Sequence, residues 1–169
     1  MPTLYLMLGY PGSGKTTTAK VIHELTGATH LWADRIRREM FKTPTYDHQE
    51  NLKLYKHLNQ EAAELLAAGN SVIFDTNFNF YKDRRHMREI AAAHNSDVKL
   101  IWVRTPKDVA RDRAVDGAHL QTTRILGNMP HQTFERMSQN LQPPRDNEQY
   151  LEIDGTKVTS EYVMRQLGL

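Results

Sequence analysis

The sequence predicts an α/β fold with a five-stranded parallel sheet, and two patterns in the chain support this. Short apolar runs typical of buried strands alternate with longer segments in which apolar residues recur every three or four positions, as in amphipathic helices. Strands that alternate with helices are typical of βαβ units, in which the strands run parallel. Because the chain has 169 residues, of which 39% are hydrophobic, we expect one domain, residues 1–169, with a buried core.

Strand candidates and helical segments together cover most of the chain. The strand candidates are residues 3–8, 29–33, 71–75, 98–103 and 150–153. The longest helical pattern, over residues 47–68, ends at Gly69, a residue type that readily terminates helices. Shorter helical patterns cover residues 15–25, 82–94, 106–115, 131–141 and 160–167.

Composition excludes several classes of function. The chain contains no cysteine, which excludes disulfides, thiolate zinc sites, iron–sulfur clusters and a cysteine nucleophile. Its formal net charge of +2 is too small by itself to predict a nucleic-acid or membrane surface. The N-terminal apolar run is too short for a signal peptide, and no other run approaches the roughly 18 apolar residues of a membrane span. We therefore expect a soluble cytoplasmic protein with no membrane partner and no obligate protein partner.

Residues 9–16 match the pattern G-x-x-x-x-G-K-[ST], between the first strand candidate and the first helical segment. Glycines let the backbone curl so that successive N–H groups and the N-terminus of the following helix face phosphate oxygens. Lys15 can reach the β- and γ-phosphates, and the Thr16 hydroxyl can coordinate Mg²⁺. The predicted nucleotide-binding residues are Gly9, Pro11, Gly12, Ser13, Gly14, Lys15, Thr16 and Thr17. This pattern distinguishes neither ATP from GTP nor phosphoryl transfer from hydrolysis.

Asp75 ends the third strand candidate and is a second candidate metal ligand. Parallel strands present functional side chains at their carboxyl ends, so Asp75 is expected beside the phosphate-binding loop, where it could hold Mg²⁺. The alternative is that Asp75 caps the following turn. Thr76 and Asn77 offer neutral hydrogen-bonding groups to an acceptor.

Asp34 follows the second strand candidate, and Arg37 lies three residues later on the same face of the helix that begins there. A carboxylate at this strand end can accept a proton from an attacking hydroxyl, and a nearby arginine can bind an anionic part of the acceptor. The alternative is an N-cap aspartate followed by a solvated basic helix face. Spacing alone does not decide between the two.

The chain resembles the polynucleotide-kinase-like branch of small P-loop kinases, within the AAA_33 and zeta-toxin-like group. Four motifs occur in the same order: Gly-Tyr-Pro-Gly-Ser-Gly-Lys-Thr, then Asp34-Arg35-Ile36-Arg37, then Val72-Ile73-Phe74-Asp75-Thr76-Asn77, then Val103-Arg104-Thr105-Pro106. The resemblance implies a three-layer P-loop NTPase fold with strand order 2-3-1-4-5 and a helical lid. It further implies ATP with Mg²⁺ and transfer of the γ-phosphoryl group to a hydroxyl. By this analogy Asp34 is the general base, Arg37 contacts the acceptor, and Lys15 and Thr16 bind the nucleotide.

The chain departs from the family pattern in the lid. Arg113 fits the first arginine of the family's arginine-asparagine pair and is assigned to nucleotide binding, but Ala114 replaces the asparagine. The expected lid arginine is absent from residues 115–117, and Arg124 is its substitute as a catalytic residue. Residues 116–130 are long for a connection and typical of a lid, with a solvated surface loop as the alternative.

Three functions stay open at this point. The first is a kinase for the 5′-hydroxyl of a nucleic-acid end, and the second is a kinase for a small metabolite, nucleoside or antibiotic. The third is a nucleotide-dependent switch or ATPase without an acceptor. The eight histidines show no spacing of a metal site, and we expect them to be surface or partly buried neutral groups.

Overall fold

A computed structural model of the chain describes residues 1–120, 123 and 127–169. It contains five parallel strands: β1 (Thr3–Leu8), β2 (Thr29–Trp32), β3 (Val72–Asp75), β4 (Asp97–Arg104) and β5 (Tyr150–Asp154). They form one sheet of order β2-β3-β1-β4-β5. The α/β class and the strand order 2-3-1-4-5 are therefore confirmed, and each strand lies within one residue of its predicted bounds.

Seven α-helices connect or follow the strands within the described residues. They are α1 (Lys15–Thr26), α2 (Ala33–Met40), α3 (His48–Ala67), α4 (Tyr81–Ala93), α5 (Lys107–Arg111), α6 (His131–Gln139) and α7 (Ser160–Leu167). The predicted helix over residues 106–115 differs, because α5 continues as a π-helical turn, Asp112–Asp116. There the Gly117 N–H donates to the Asp112 carbonyl, five residues back. None of these helices is both long and apolar enough to cross a bilayer.

Helices cover both faces of the sheet because alternate residues of each strand point to opposite sides. On one face, Leu4 and Leu6 of β1 pack in a core with residues of α2, α3 and α4. On the other face, Tyr5 and Met7 pack in a core with residues of α1 and α7. Because all five strands are parallel, their carboxyl ends lie at the same edge of the sheet, and the loops that follow them begin there.

A buried ion pair fixes the segment before β5 against α4. Arg84 is fully buried, and its Nε and Nη2 donate to the two carboxylate oxygens of Glu148 at 2.9 and 2.8 Å. Its Nη1 donates to the Phe78 carbonyl at 2.7 Å. Arg88 donates to the same carboxylate, and so does the Arg145 backbone N–H. The network thus joins the loop after β3 to the segment before β5.

We expect Glu148→Ala to lower the free energy of unfolding by about 3–5 kcal/mol, because it leaves the buried Arg84 charge without its counterion. Urea unfolding followed by circular dichroism measures this change. The control is Glu89→Ala on α4, which removes an exposed pair with Arg85 and should cost less than about 1 kcal/mol. Equal losses in the two variants would contradict the stabilising role of Glu148.

The carboxylate of Glu148 should also make a contribution to stability that is lost in acid. Burial raises the pKa of Glu148, but hydrogen bonds from Arg84, from the Arg145 backbone and from Arg88 outweigh it and lower the pKa from 4.5 to about 2. Because the pKa of Glu148 is lower in the folded than in the unfolded chain, its ionised form stabilises the fold. This contribution to the free energy of unfolding is complete above the pKa of the unfolded chain and is lost as pH falls towards 2. Urea unfolding between neutral pH and about pH 3 should therefore show a steeper acid loss in the parent than in Glu148→Gln.

Candidate active site

The loop between β1 and α1 has a backbone conformation that its glycines allow. Gly12 and Gly14 have φ of +76° and +105°, a region that L side chains rarely adopt. A Cβ on Gly12 would lie 2.3 Å from the Ala110 carbonyl oxygen. The Lys15 Nζ donates to the carbonyls of Gly9 and Tyr10, both at 2.8 Å. The lysine ammonium is therefore held at the start of the loop, while the other end of the loop leads into α1.

Three residues outside the motif hold this loop in place. The Thr105 hydroxyl, at the end of β4, donates to the Ser13 carbonyl at 2.7 Å. Gly155, after β5, lies so close that a Cβ on it would be 1.9 Å from the same oxygen. Arg113 Nη1 donates to the carbonyls of Gly12 at 3.4 Å and Gly155 at 3.1 Å. Arg113 thus lies beside the phosphate-binding loop. The contacts by which Thr105 and Gly155 support the loop were not predicted from the sequence.

Asp75 lies beside this loop at the end of β3. It is one residue past Phe74, which pairs with Leu6 of β1. Its Oδ2 accepts a hydrogen bond from His30 Nε2 at 2.8 Å, and the His30 ring stacks on Trp32. The side chain therefore bonds to β2 and does not cap the turn. His30 is partly buried, as expected, but its pairing with Asp75 was not foreseen.

The donor set fits Mg²⁺. The hydroxyl of Thr16 and the carboxylate of Asp75 are hard oxygen ligands of the kind that Mg²⁺ prefers. The hydrogen bond from His30 is made to Oδ2 of Asp75, so Oδ1 is the oxygen that could accept a hydrogen bond from a metal-bound water.

A second cluster of polar side chains lies where α2 and α3 meet the end of β3. Asp34 is the second residue of α2, whose N-cap is Trp32, so the N-cap alternative for Asp34 is wrong. Asp34 lies close enough to Tyr46 and Tyr55 that its charge raises the pKa of both hydroxyls, after the larger effect of burial. The Tyr55 and Thr76 hydroxyls are hydrogen-bonded at 2.8 Å. Asn77 follows Thr76 and is partly buried.

Arg37 is more enclosed than its position on a basic helix face suggested. Only 7% of the residue is exposed. Its Nη1 donates to Glu50 Oε1 at 2.6 Å and its Nη2 to Asn51 Oδ1 at 2.7 Å, both from α3. Its guanidinium lies over the Tyr46 ring, 4.5 Å from the centroid. The alternative of a solvated basic helix face is therefore wrong for Arg37, because α3 supplies a counterion and covers the side chain.

Glu50 organises the loop before α3. It accepts hydrogen bonds from the Thr45 N–H at 2.6 Å, the Thr45 hydroxyl at 3.0 Å and the Tyr46 N–H at 3.3 Å. Burial alone would raise its pKa, but these bonds and that from Arg37 lower it from 4.5 to about 2. Tyr46, which is not glycine, has a φ of +59°, a conformation that costs about 1 kcal/mol and needs such neighbours to hold it. Nothing in the sequence pattern pointed to Glu50, since it reads as an ordinary helix residue.

The structure places Thr17 on the exposed side of α1 and Pro11 in the buried part of the loop. Part of the predicted lid is described, with the π-helical turn ending at Asp116 and a 3-10 turn at Ala118–Leu120. The Met129 N–H donates to the Ala114 carbonyl, which ties the end of this segment to the π-helical turn. Arg124, the predicted lid arginine, lies outside the described residues.

The parallel sheet, its strand order and the glycine-rich loop define a kinase-like P-loop NTPase fold. A family model described as an AAA domain (AAA_33) matches residues 4–144. The chain belongs to this family.

Similar proteins cover different shares of the chain. Uncharacterized proteins of Mycobacterium bovis and Mycobacterium tuberculosis are 29% identical over 124 residues, 66% of this chain, and the chain spans only 25% of their length. A Chloroflexus aurantiacus structure is 19% identical with a TM-score of 0.78, over 99% of this chain and 97% of that one. A Sinorhizobium meliloti gluconokinase is 20% identical with a TM-score of 0.68, over 99% and 90%. The Mycobacterium tuberculosis APS kinase bound to AMPPNP and APS is 17% identical with a TM-score of 0.65, over 99% and 98%.

We expect Gly12→Ala to weaken Mg·ATP binding by about tenfold or more, because a left-handed alanine costs roughly 1–2 kcal/mol and its Cβ would displace the loop. Isothermal titration calorimetry measures the affinity. The matched control is Gly27→Ala at the end of α1, where φ is +73° and a Cβ would meet no atom within 4 Å. It should lower stability but leave the affinity unchanged, so equal weakening in both variants would contradict the assignment of the loop.

Proposed function

We propose that this chain is a phosphotransferase that moves the γ-phosphoryl group of ATP to a hydroxyl group of an acceptor. The observation that carries the proposal is that the phosphate-binding loop and Asp34 lie at the same edge of the sheet. The loop follows β1, Asp34 follows β2, and β3 lies between the two strands. This arrangement supports the proposal because Asp75 lies between the proposed triphosphate site and the carboxylate proposed to receive the hydroxyl proton.

In the proposed reaction the main-chain amides of residues 9–16 bind the phosphates of the nucleotide. Lys15 exchanges its hydrogen bonds to the Gly9 and Tyr10 carbonyls for hydrogen bonds to phosphate oxygens. Its ammonium then neutralises charge on the phosphoryl group that is transferred. Arg113 lies next to the loop and Gly155, in a position to contact the nucleotide.

Asp34 accepts the proton of the attacking hydroxyl. The acceptor oxygen forms a bond to the γ-phosphorus while the bond from that phosphorus to the β,γ-bridging oxygen breaks, and ADP leaves. Thr76 and Asn77 orient the hydroxyl through neutral hydrogen bonds. Thr16 and Asp75 would hold Mg²⁺, which when bound neutralises charge on the β- and γ-phosphates. Arg124 is proposed to enter the site from the lid.

Two classes of acceptor are consistent with this chemistry: the 5′-hydroxyl of a nucleic-acid end, and a small hydroxylated molecule. The test is to incubate the protein with γ-labelled ATP and a panel of 5′-hydroxyl oligonucleotides, nucleosides, sugars and other small alcohols. Label in any acceptor supports the proposal. Release of inorganic phosphate alone, across the whole panel, would favour an ATPase or switch and contradict it.

We expect Asp34→Asn to reduce transfer by a factor of about 10² or more, because the variant cannot take up the hydroxyl proton. Mg·ATP affinity should be unchanged, since Asp34 contacts the acceptor. Lys15→Ala, by contrast, should weaken both binding and turnover. Calorimetry and the label-transfer assay separate the two outcomes, and a turnover of Asp34→Asn equal to that of the parent would remove this residue from the mechanism.

A further inference from the structure

The ion pair between Arg37 and Glu50 bears on which acceptors the site can bind. This inference rests on the proposed function. An arginine next to a general base is a natural anchor for a phosphate or carboxylate on the acceptor. Here both terminal nitrogens of Arg37 already donate, to Glu50 and to Asn51, at 2.6 and 2.7 Å. With 7% of the residue exposed, an acceptor can reach little of the guanidinium.

Glu50 is a permanent counterion for Arg37. Its carboxylate is 6% exposed and accepts bonds from three groups of the preceding loop as well as from Arg37. Although burial raises its pKa, these hydrogen bonds lower the pKa to about 2, which keeps the carboxylate ionised at neutral pH. An incoming anion would therefore have to break a buried pair and leave Glu50 unpaired, which is strongly unfavourable.

The surrounding charges also disfavour an anion. Besides burial, the carboxylates of Asp34 and Glu50 raise the pKa of the Tyr46 hydroxyl, whereas Arg37 and Arg38 lower it. At Tyr55, burial and the carboxylates of Asp34 and Asp83 raise the pKa against Arg37 and the hydrogen bond with Thr76. Within the described part of the chain, neutral polar groups of this cluster include the hydroxyls of Tyr55 and Thr76 and the amide of Asn77. Tyr46, which is 47% exposed, adds an accessible aromatic ring. Such a surface suits hydroxyl groups and a neutral ring or chain, which bind by hydrogen bonds and stacking.

We propose that the Glu50–Arg37 pair makes this site selective for an electrically neutral, hydroxylated small molecule and excludes acceptors with a phosphate near the reacting hydroxyl. Glu50 is thus a specificity-determining residue that acts through Arg37. A nucleic-acid end carries a phosphate on the same sugar as its 5′-hydroxyl, so the Glu50–Arg37 pair makes it a poor acceptor.

The test compares two probes that share the reacting hydroxyl and differ by one phosphate. Parent protein saturated with Mg·AMPPNP is titrated with uridine and with uridine 3′-monophosphate, and binding is measured by calorimetry. We expect the phosphorylated probe to bind no better than uridine. In Glu50→Gln, Arg37 loses its counterion, and we expect affinity for uridine 3′-monophosphate to rise about tenfold or more, the scale of a charge-assisted hydrogen bond.

The matched control is Glu61→Gln, the same substitution on the same helix, at a carboxylate that is 39% exposed and paired with His57. It should leave the affinity for both probes unchanged, which excludes a general effect of net charge. Melting temperatures of all variants show whether each is folded. The double variant Glu50→Gln with Arg37→Met should lose the gain, since the gain depends on the guanidinium.

Tighter binding of uridine 3′-monophosphate than of uridine by the parent would overturn the proposal. So would the absence of a gain in a folded Glu50→Gln, whether or not the parent binds either probe. Preferential labelling of 5′-hydroxyl oligonucleotides over every neutral acceptor in the γ-labelled ATP panel would also overturn it and leave the phosphotransferase function intact. Failure of the parent to bind Mg·AMPPNP would instead contradict the proposed function itself.

Discussion

Parallel pairing of β1 between β3 and β4 is the constraint on which the rest of the molecule depends. Because the strands run in the same direction, every connection after a strand begins at the same edge of the sheet. This pairing brings the phosphate-binding loop, Asp75 and Thr105 to the same edge of the sheet. The buried apolar residues of both sheet faces fix the register, so the positions of these polar groups follow from the hydrophobic packing of the strands that precede them.

The parts of the molecule that the sequence predicted are those with a local signal. The strands are short apolar runs, the glycine-rich loop is contiguous, and Asp75 ends a strand, so each could be placed without knowledge of the tertiary structure. Strand order is a long-range property and came from the resemblance to a family. The π-helical turn at Asp112–Asp116 could not be predicted, because an α-helical pattern continues through it.

The acceptor side of the site was only half predicted, for a physical reason. Asp34 and Arg37 share a helix face, and their proximity follows from helix geometry. The role of Arg37 depends on its hydrogen-bond partners Glu50 and Asn51, which lie 13 and 14 residues further on, across a loop. Glu50 and His30 have no motif of their own, and only the packing of α3 and of β2 against the site reveals what they bind. Counterions of this kind determine whether an arginine is available to a ligand, and they are seldom visible from spacing.

The Arg84–Glu148 pair has a consequence for the order in which the chain folds. It joins residues 64 positions apart, and β5 pairs with β4 only after more than 40 intervening residues. The entropy of closing so long a loop must be offset before these contacts stabilise the chain. The edge strand β5 pairs with β4 alone, so we expect it, and with it the Gly155 turn, to be added late, after the central strands have formed. The phosphate-binding loop would then gain its contact with Gly155 only at the last stage of folding.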